Sequence, residues 1–327
     1  MTSAVLLSSA GRRVALMRCF RSAAADIGID ARILACDVTR LAPAMHTADD
    51  TFVVPRADDP AFIDAVLQEC VSRDVRLVIP TIDPELPIYA AHADRFREAG
   101  TTIAVSSPET VAIGADKRKT HTFLTAHDIP TVRQADASAV LDAPGDWTFP
   151  VMVKPALGSA GIGVQSVASA EELAIIKPDK DLLVQERASG FEVTVDVFVD
   201  PAGIPRCAVP RQRLEVRAGE VSKAITVRRV DVVDLVTRLC TLLPGAFGAL
   251  NVQVFVDDDE GQLRVIEINP RFGGGYPLTD AAGAHYARWL LQIAHGIEPD
   301  IDARNWRDGF VMLRYDDAVF IDASDVR

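Results

Sequence analysis

A run near the C-terminal end contains the residues best suited to chemistry: Val265-Ile266-Glu267-Ile268-Asn269-Pro270-Arg271-Phe272-Gly273-Gly274-Gly275. Its first half is typical of a β-strand, in which alternate side chains share a face, so Glu267 and Asn269 point the same way. Hard cations bind carboxylate and amide oxygens and keep phosphate oxygens as further ligands. Arg271 can bind a phosphate with its planar guanidinium group, and Gly273 and Gly274 let backbone approach a ligand closely. The run therefore predicts a Mg²⁺–polyphosphate site.

The segment just upstream supplies a third oxygen-bearing side chain. The β-rich run 249–256 and the acidic turn 257–262 predict a hairpin with the strand that carries Glu267. A turn centred near Glu260 places Gln253 opposite Glu267, with Cβ atoms roughly 4.5–5.5 Å apart. A solvated edge hairpin would explain any one of these polar residues, but not the acid, amide, arginine and three glycines together.

A second segment with phosphate-binding features lies at 147–164, where a strand leads into a loop of small residues and then into another strand. Backbone N–H groups of this loop, which includes Gly158, Ser159 and Gly161, could cradle phosphates. Lys154 at the end of the first strand adds positive charge. The segment is not a Walker A motif, and alone it would also suit a plain glycine-containing hairpin.

Two alternating stretches follow. In 191–199, Glu192 lies on the polar face of a strand and could accept from ribose hydroxyls, although a half-exposed strand would look the same. In 211–223, alternate positions carry arginines, among them Arg213 and Arg217, in a protein that is otherwise acidic. This pattern suits a phosphate or carboxylate site, and also a solvated strand face.

Residues 1–105 alternate between strand and helix patterns, which predicts a parallel sheet covered on both faces. Ligands of such sheets lie beyond the C-terminal ends of the strands, where Gly11, Arg12, Asp83 and Glu85 are predicted. Gly11 could serve only a tight turn. The two acids could hold a substrate amine or cap a helix. The G-x-G-x-x-G fingerprint is missing, which disfavours an NAD site.

The net charge and the cysteine content disfavour several classes of function. The 327 residues carry a formal net charge of −12, which argues against nucleic acid or a membrane surface as the main partner. The five cysteines are dispersed and form no C-x-x-C pair, so a reducing cytoplasm is the simple expectation. The N-terminal stretch lacks a signal-peptide pattern, and no apolar run reaches transmembrane length.

Taken in order, these segments resemble the ATP-grasp superfamily, most closely the branch of the carbamoyl phosphate synthetase large subunit and of stand-alone carboxylate–amine ligases. The resemblance covers about residues 1–290 and is most specific at Glu267-x-Asn269-x-Arg271 and at Lys154 with its glycine loop. It implies a mixed α/β and α+β fold. A parallel α/β domain at 1–108 would precede two ATP-grasp lobes with antiparallel sheets, a small lobe at 109–187 and a C-terminal lobe at 188–327.

The resemblance also implies ATP and Mg²⁺ as cofactors, with Mn²⁺ as a substitute, and a role for each matching residue. Lys117 and Lys154 would contact the phosphates of ATP, and Gln185, Glu186 and Ala188 would bind adenine. Glu192 would bind the ribose, and Lys223 is a further nucleotide-binding residue. The Mg²⁺ ligands would be Gln253, Glu267 and Asn269. Many relatives carry glutamate where this chain has Gln253, and the amide lowers the negative charge of the metal site.

The expected reaction is ATP-dependent ligation. A substrate carboxylate would attack the γ-phosphate, and an amine would then attack the acyl phosphate to form an amide or peptide bond. Arg271 and Lys154 would stabilise the transferred group, while Arg213, Arg217 and the backbone at Gly273–Gly274 would hold the carboxylate. Amino acids are candidate substrates, and a homodimer is left open. Carboxylation through carboxyphosphate and a non-catalytic nucleotide-binding protein are the alternatives, and a dehydrogenase is the weakest.

Overall fold

The structure is a computed structural model that describes residues 3–158, 161–176, 181–217 and 219–326. The strands of this part of the chain are collected into three sheets, one parallel and two antiparallel. The strands of each sheet fall within one of the three predicted segments. The expected fold class is therefore confirmed, while the domain boundaries themselves stay predictions.

The N-terminal sheet is parallel and has the order β3-β2-β1-β4-β5 in the described residues. All six residues of its central strand β1 are buried, as expected for a strand covered by helices on both faces. The elements are β1 Ser3–Ser8, α1 Val14–Asp26, β2 Ala31–Asp37, β3 Asp50–Val53, α2 Phe62–Ser72, β4 Val75–Pro80, α3 Leu86–Glu98 and β5 Thr102–Ile103. Strand β3 is short and partly polar, and the sequence patterns did not predict it.

Two helices connect this sheet to the rest of the chain, α4 Pro108–Ala115 and α5 Lys117–Ala126. The sequence pattern from residue 107 to about residue 128 is typical of one continuous helical stretch. Asp116 interrupts it with an extended backbone, and its side chain caps α5 by accepting a hydrogen bond from the Arg118 backbone N–H. The break places Lys117 at the first turn of α5, where its side chain can reach the glycine loop.

A small antiparallel sheet with the order β6-β9-β7-β8 follows. Its strands β7 and β8 flank the glycine loop, and its apolar side chains pack against two short helices. The elements are β6 Gln134–Asp136, α6 Ala137–Asp142, β7 Val151–Pro155, β8 Gln165–Val167, α7 Ala170–Ile175 and β9 Leu182–Glu186.

The C-terminal sheet is antiparallel in the described residues, with the order β14-β13-β10-β11-β12-β15. The sequence pattern at 280–296 is typical of one amphipathic helix, but two helices form in this region because Gly283 turns the chain with a φ of +115°. The elements are β10 Phe191–Val199, β11 Pro205–Arg217, β12 Glu220–Thr226, α8 Val230–Leu242, β13 Gly248–Asp257, β14 Gln262–Asn269, α9 Tyr276–Ala281, α10 Tyr286–Ala294 and β15 Val311–Leu313.

One hydrophobic core joins the N-terminal sheet to the C-terminal lobe. Phe20 of α1 packs edge-on against Phe272, with ring centroids 5.8 Å apart, and Phe272 in turn contacts Tyr276. Phe272 is 4% exposed. Because it lies inside the run predicted to do chemistry, its burial fixes the backbone of Arg271 and Gly273 against α1.

Helix α4 packs tightly against the strand that carries Glu267 and Asn269. A Cβ on Gly114 would lie 2.7 Å from the Ile268 carbonyl oxygen and 2.9 Å from Pro270. The close approach of α4 therefore requires a glycine at this position. This contact fixes the position of β14 relative to α4. Among the described residues, no helix combines the length and the apolar character needed to cross a membrane.

Candidate functional site

A cleft of about 820 Å³ lies between the two antiparallel sheets and reaches the first turn of α1. It brings together most of the residues that the sequence singled out. Those lining it are Lys117, Lys154, Gly158, Gly161, Gln185, Glu186, Ala188, Glu192, Arg213, Gln253, Glu267, Asn269, Arg271, Gly273 and Gly274. Ser159 lies outside the described residues.

The predicted hairpin forms the floor of the cleft with the expected register. Gln253 pairs with Glu267, and Asn251 with Asn269, across β13 and β14. A register shift follows Gln253, so the hairpin accommodates one bulged position without turning the oxygen-bearing face away. One carboxylate and two amides thus face the same space.

The surroundings of Glu267 suit a carboxylate that binds a cation. Burial raises its pKa, Lys117 lowers it, and the nearby charge of Asp83 raises it further. Within the described part of the chain, no donor is hydrogen-bonded to this carboxylate. A half-buried acid that faces a cleft without a hydrogen-bond donor fits a hard cation such as Mg²⁺.

Two lysines reach the same space from the small sheet and from α5. The Lys117 ammonium group donates to the Gly158 carbonyl oxygen at 2.7 Å, which ties the start of the glycine loop to α5. Lys154 is 8% exposed, and burial lowers its pKa to about 8, assisted by the charge of Lys117 and opposed by that of Glu267. Both ammonium groups can bind phosphate oxygens.

Arg271 is oriented by a residue from the N-terminal domain. Its Nε and Nη2 atoms donate to the two carboxylate oxygens of Asp83 at 2.6 and 2.7 Å, a bidentate pair. Its Nη1 atom donates to the Phe272 carbonyl oxygen at 3.2 Å. Asp83, which the sequence assigned to a substrate amine, is thus engaged in holding Arg271 at the cleft.

Glu85 does not support its predicted contact with an amine. Its side chain is fully buried and accepts from the hydroxyls of Ser8 and Ser9 and from the backbone N–H groups of Thr81 and Ile82. Burial raises its pKa, and these hydrogen bonds oppose the shift. The acid fastens the ends of β1 and β4 to each other. Glu85 is therefore a structural residue in this arrangement, and the predicted contact does not fit.

The basic face of β11 is split by a bulge. Arg213 donates to the carboxylate of Glu192 at 2.5 Å inside the cleft, so the predicted ribose acid has a cationic partner. The register between β11 and β12 shifts around Glu215, and the alternation ends there. Arg217 and Lys223 both pair with Glu215 and do not line the cleft.

Strand β11 carries a further arginine, Arg211, to which the sequence assigned no role. Arg211 is 1% exposed and makes a bidentate pair with Asp196, whose carboxylate also accepts from Asn251 and Thr279. A Cβ on Gly275 would lie 2.1 Å from Arg211 Nη1, so the glycine run packs directly on the guanidinium group. Arg211 and Asp196 each lie on a strand face flagged by alternation, which was the available signal.

Gly11 and Arg12 line a smaller second cavity rather than the main cleft. Arg13, Glu220, Gly273 and Gly274 line both, so the two spaces adjoin. Neither Arg13 nor Glu220 was predicted, because each is an ordinary surface residue in sequence terms.

Comparisons with known proteins show similarity in family and in fold. A family model described as an ATP-grasp domain matches residues 114–275, and one described as a PylC-like N-terminal domain matches residues 5–104. The large chain of carbamoyl phosphate synthase from Corynebacterium glutamicum is 24% identical over 289 residues, which are 83% of this chain and 26% of that protein. The chain thus spans about a quarter of the length of this curated relative.

Solved structures are similar over nearly the whole chain. The biotin carboxylase domain of Hydrogenobacter thermophilus 2-oxoglutarate carboxylase, solved with MgADP, ADP and bicarbonate, has a TM-score of 0.74 at 18% identity and covers 94% of this chain and 73% of its own. An L-amino acid ligase from Bacillus licheniformis has a TM-score of 0.68 at 19% identity, with coverages of 89% and 74%. At such identities the similarity shows the fold.

Proposed function

Because the chain belongs to the ATP-grasp superfamily, we propose that it joins a small-molecule carboxylate to an amine with Mg²⁺–ATP, releasing ADP and phosphate. The observation that carries this proposal is one cleft in which Gln253, Glu267 and Asn269 face two lysines and Arg271. This set suits a triphosphate and a divalent cation. The relatives include both ligases and carboxylases, so the reaction itself is a proposal.

Each group of residues in the cleft has a separate role in the proposed reaction. Lys117 and Lys154 bind phosphate oxygens, and Arg271, held by Asp83, stabilises charge on the transferred γ-phosphoryl group. Gln253, Glu267 and Asn269 would hold Mg²⁺, which when bound neutralises phosphate charge; Mn²⁺ takes the same oxygen ligands. The carboxylate lies against the backbone of Gly273–Gly274 and attacks the γ-phosphorus, forming an acyl phosphate as the bond to ADP breaks.

The adjoining second cavity supports a reaction with two substrates. The acyl phosphate formed at the glycine run needs an acceptor close by, and the carboxylase alternative would need an acceptor as well. A cavity of about 300 Å³ that shares Gly273 and Gly274 with the main cleft offers space for such an acceptor. Small-molecule acids and amines are therefore the proposed partners.

A hydroxylamine trap tests the acyl phosphate without knowledge of the natural amine. We expect purified protein with Mg²⁺–ATP, hydroxylamine and a panel of carboxylic acids, including the amino acids, to give a hydroxamate and ADP with specific acids. ADP release that depends on bicarbonate and yields no hydroxamate would favour the carboxylase alternative. If neither a carboxylic acid nor bicarbonate stimulates ADP release, both the ligase and the carboxylase functions are contradicted.

Nucleotide binding is expected to weaken as the pH rises through about 8. Lys154, with a pKa of about 8, is charged below this pH and neutral above it, so its charge-assisted bond to phosphate is lost on the alkaline side. The loss of one such bond should raise the Kd for MgADP roughly tenfold between pH 7 and pH 9.5. Isothermal titration across this range measures the effect.

The matched variant for this experiment is Lys154→Arg. Arginine remains protonated at pH 9.5, so its profile should be flat over the range in which the parent profile falls. Equal slopes for the two proteins would show that another group causes the pH dependence.

A further inference from the structure

The second cavity lies at the point where the strand order of the parallel sheet reverses. Strand β1 has β2 on one side and β4 on the other, and the cavity is lined by residues that follow β1 and β4, including Gly11 and Thr81. In open parallel sheets, crevices beyond the strand ends at such a point are the usual ligand sites. The backbone of Gly273–Gly274, which also lines the main cleft, forms another wall of the cavity.

The cavity carries unbalanced positive charge in an acidic protein. Among the described residues that line it, three arginines face one glutamate. Glu220 lies 3.1 Å from Arg314, 3.8 Å from Arg13 and 3.9 Å from Arg12. One carboxylate cannot balance three guanidinium groups, so a ligand with an anionic group is favoured here.

Glu220 retains one oxygen for a ligand. Its Oε2 atom accepts from Arg314, whereas the contact of Oε1 is Arg13 at 3.8 Å, beyond hydrogen-bond distance. The same side chain lies over the glycine run, 3.7 Å from the position of a Cβ on Gly274. Both oxygens of Asp83 accept from Arg271, and Glu85 is fully buried, whereas Glu220 lines the cavity and has one oxygen without a hydrogen bond. Among these three acids, Glu220 is therefore the best placed to accept from an ammonium group near the acyl phosphate.

The remaining wall is apolar and the space is small. Leu16, Ile82, Pro277 and Met312 line it, and its volume is about 300 Å³. This volume is at the lower end of the roughly 300–1,000 Å³ of small-molecule sites, so a ligand about the size of an amino acid suits the cavity.

We propose that this cavity binds the amine substrate of the ligase as a free amino acid with an apolar side chain, held by Arg12 and Arg314 at its carboxylate and by Glu220 at its ammonium group. The inference rests on the proposed function and names the substrate class. Arg314 and Met312 come from the C-terminal strand β15 and its end, so this strand completes the substrate site.

The transfer step follows from this placement. The ammonium group loses one proton to water, and the nitrogen lone pair forms the C–N bond at the acyl carbon. The bond from that carbon to the phosphate oxygen breaks, and its electron pair leaves with the phosphate. The second nitrogen proton ends on the departing hydrogen phosphate, so the products are an amide, phosphate and one released proton.

Equilibrium binding tests the cavity without turnover. Each of the twenty common amino acids would be titrated into protein saturated with MgADP, together with 3-methylbutylamine, which lacks the carboxylate of leucine, and 4-methylpentanoate, which lacks the amine. We expect at least one apolar amino acid to bind and both truncated analogues to bind at least tenfold more weakly.

Three variants make the test specific. Arg314→Gln should raise the Kd of that amino acid at least tenfold, and Ala15→Trp should abolish binding by filling the cavity without changing its charge. Both should bind MgADP with the parent Kd, because neither residue lines the main cleft. Arg97→Gln, which replaces an exposed arginine of α3, is the matched control and should change nothing.

The outcomes separate the two proposals. No binding by any amino acid, or equal binding by parent and Arg314→Gln, would overturn the cavity assignment whatever the reaction is. Amino acid binding that depends on Arg314, with no ADP release and no hydroxamate from any acid, would retain the cavity and remove the ligase.

Discussion

Replacing Glu267 by glutamine is expected to lower the rate of ADP release about a thousandfold, which corresponds to roughly 4 kcal/mol of transition-state stabilisation. The substitution keeps the size of the side chain and removes its charge. Gln253 and Asn269 are neutral amides, so Glu267 contributes the anionic charge of the proposed metal set. A hard divalent cation left with three amides would be held weakly and would neutralise phosphate charge poorly.

The measurement is ADP release at saturating ATP, combined with the Mg²⁺ concentration that gives half-maximal nucleotide binding. The latter should rise in the variant and should rise less when Mn²⁺ replaces Mg²⁺, because Mn²⁺ binds nitrogen and oxygen ligands more readily. Asp258→Asn, in the turn of the same hairpin, is the control. Its side chain is 59% exposed and pairs with Arg229, so ADP release should stay within twofold. A Glu267→Gln protein with a tenth of the parent rate would refute the metal assignment.

Replacing Asp196 by asparagine is expected to destabilise the protein by about 3–5 kcal/mol, because it leaves the guanidinium group of Arg211 buried without its counter-charge. The two side chains are 3% and 1% exposed. Asn251 and Thr279 also donate to the lost carboxylate, so their hydrogen bonds weaken as well. Urea unfolding measures the change.

Two further variants separate stability from function. Asp64→Asn removes an exposed ion pair with Arg95 and should cost less than about 1 kcal/mol. The double variant Asp196→Leu with Arg211→Met replaces the buried pair by apolar side chains, which should recover most of the lost stability. It should not recover ADP release, because Arg211 lies directly beneath Gly275 in the cleft. A double variant no more stable than the single one would contradict this explanation.

The local features of the site were predictable from the sequence. Alternation and turn chemistry set the register of β13 and β14, which placed Gln253 opposite Glu267. Strand and helix alternation likewise predicted the parallel sheet. These features depend on residues a few positions apart, and the geometry of a strand or hairpin fixes how such neighbours face each other.

Pairings between distant residues were not predictable. Asp83 and Arg271 are 188 positions apart, and their bidentate pair changes the role expected for the acid. The sequence cannot tell that Glu85 is buried beneath two strand ends while Asp83, two positions earlier, pairs with Arg271 of the cleft. The bulge at Glu215 similarly decides that Arg213 lines the cleft and Arg217 does not.

The sequence by itself thus determined the fold class and the register that brings Gln253, Glu267 and Asn269, the proposed metal ligands, to one face of the hairpin, because both follow from local periodicity and short-range pairing. The tertiary structure alone decided which charged groups lie together and which cavity they line. Asp83 and Glu85 are engaged within the protein, whereas Glu220 and Arg314 come together at a second cavity from separate strands. A carboxylate keeps or loses its availability according to the donors that packing brings to it, and this packing joins residues that sequence spacing does not relate.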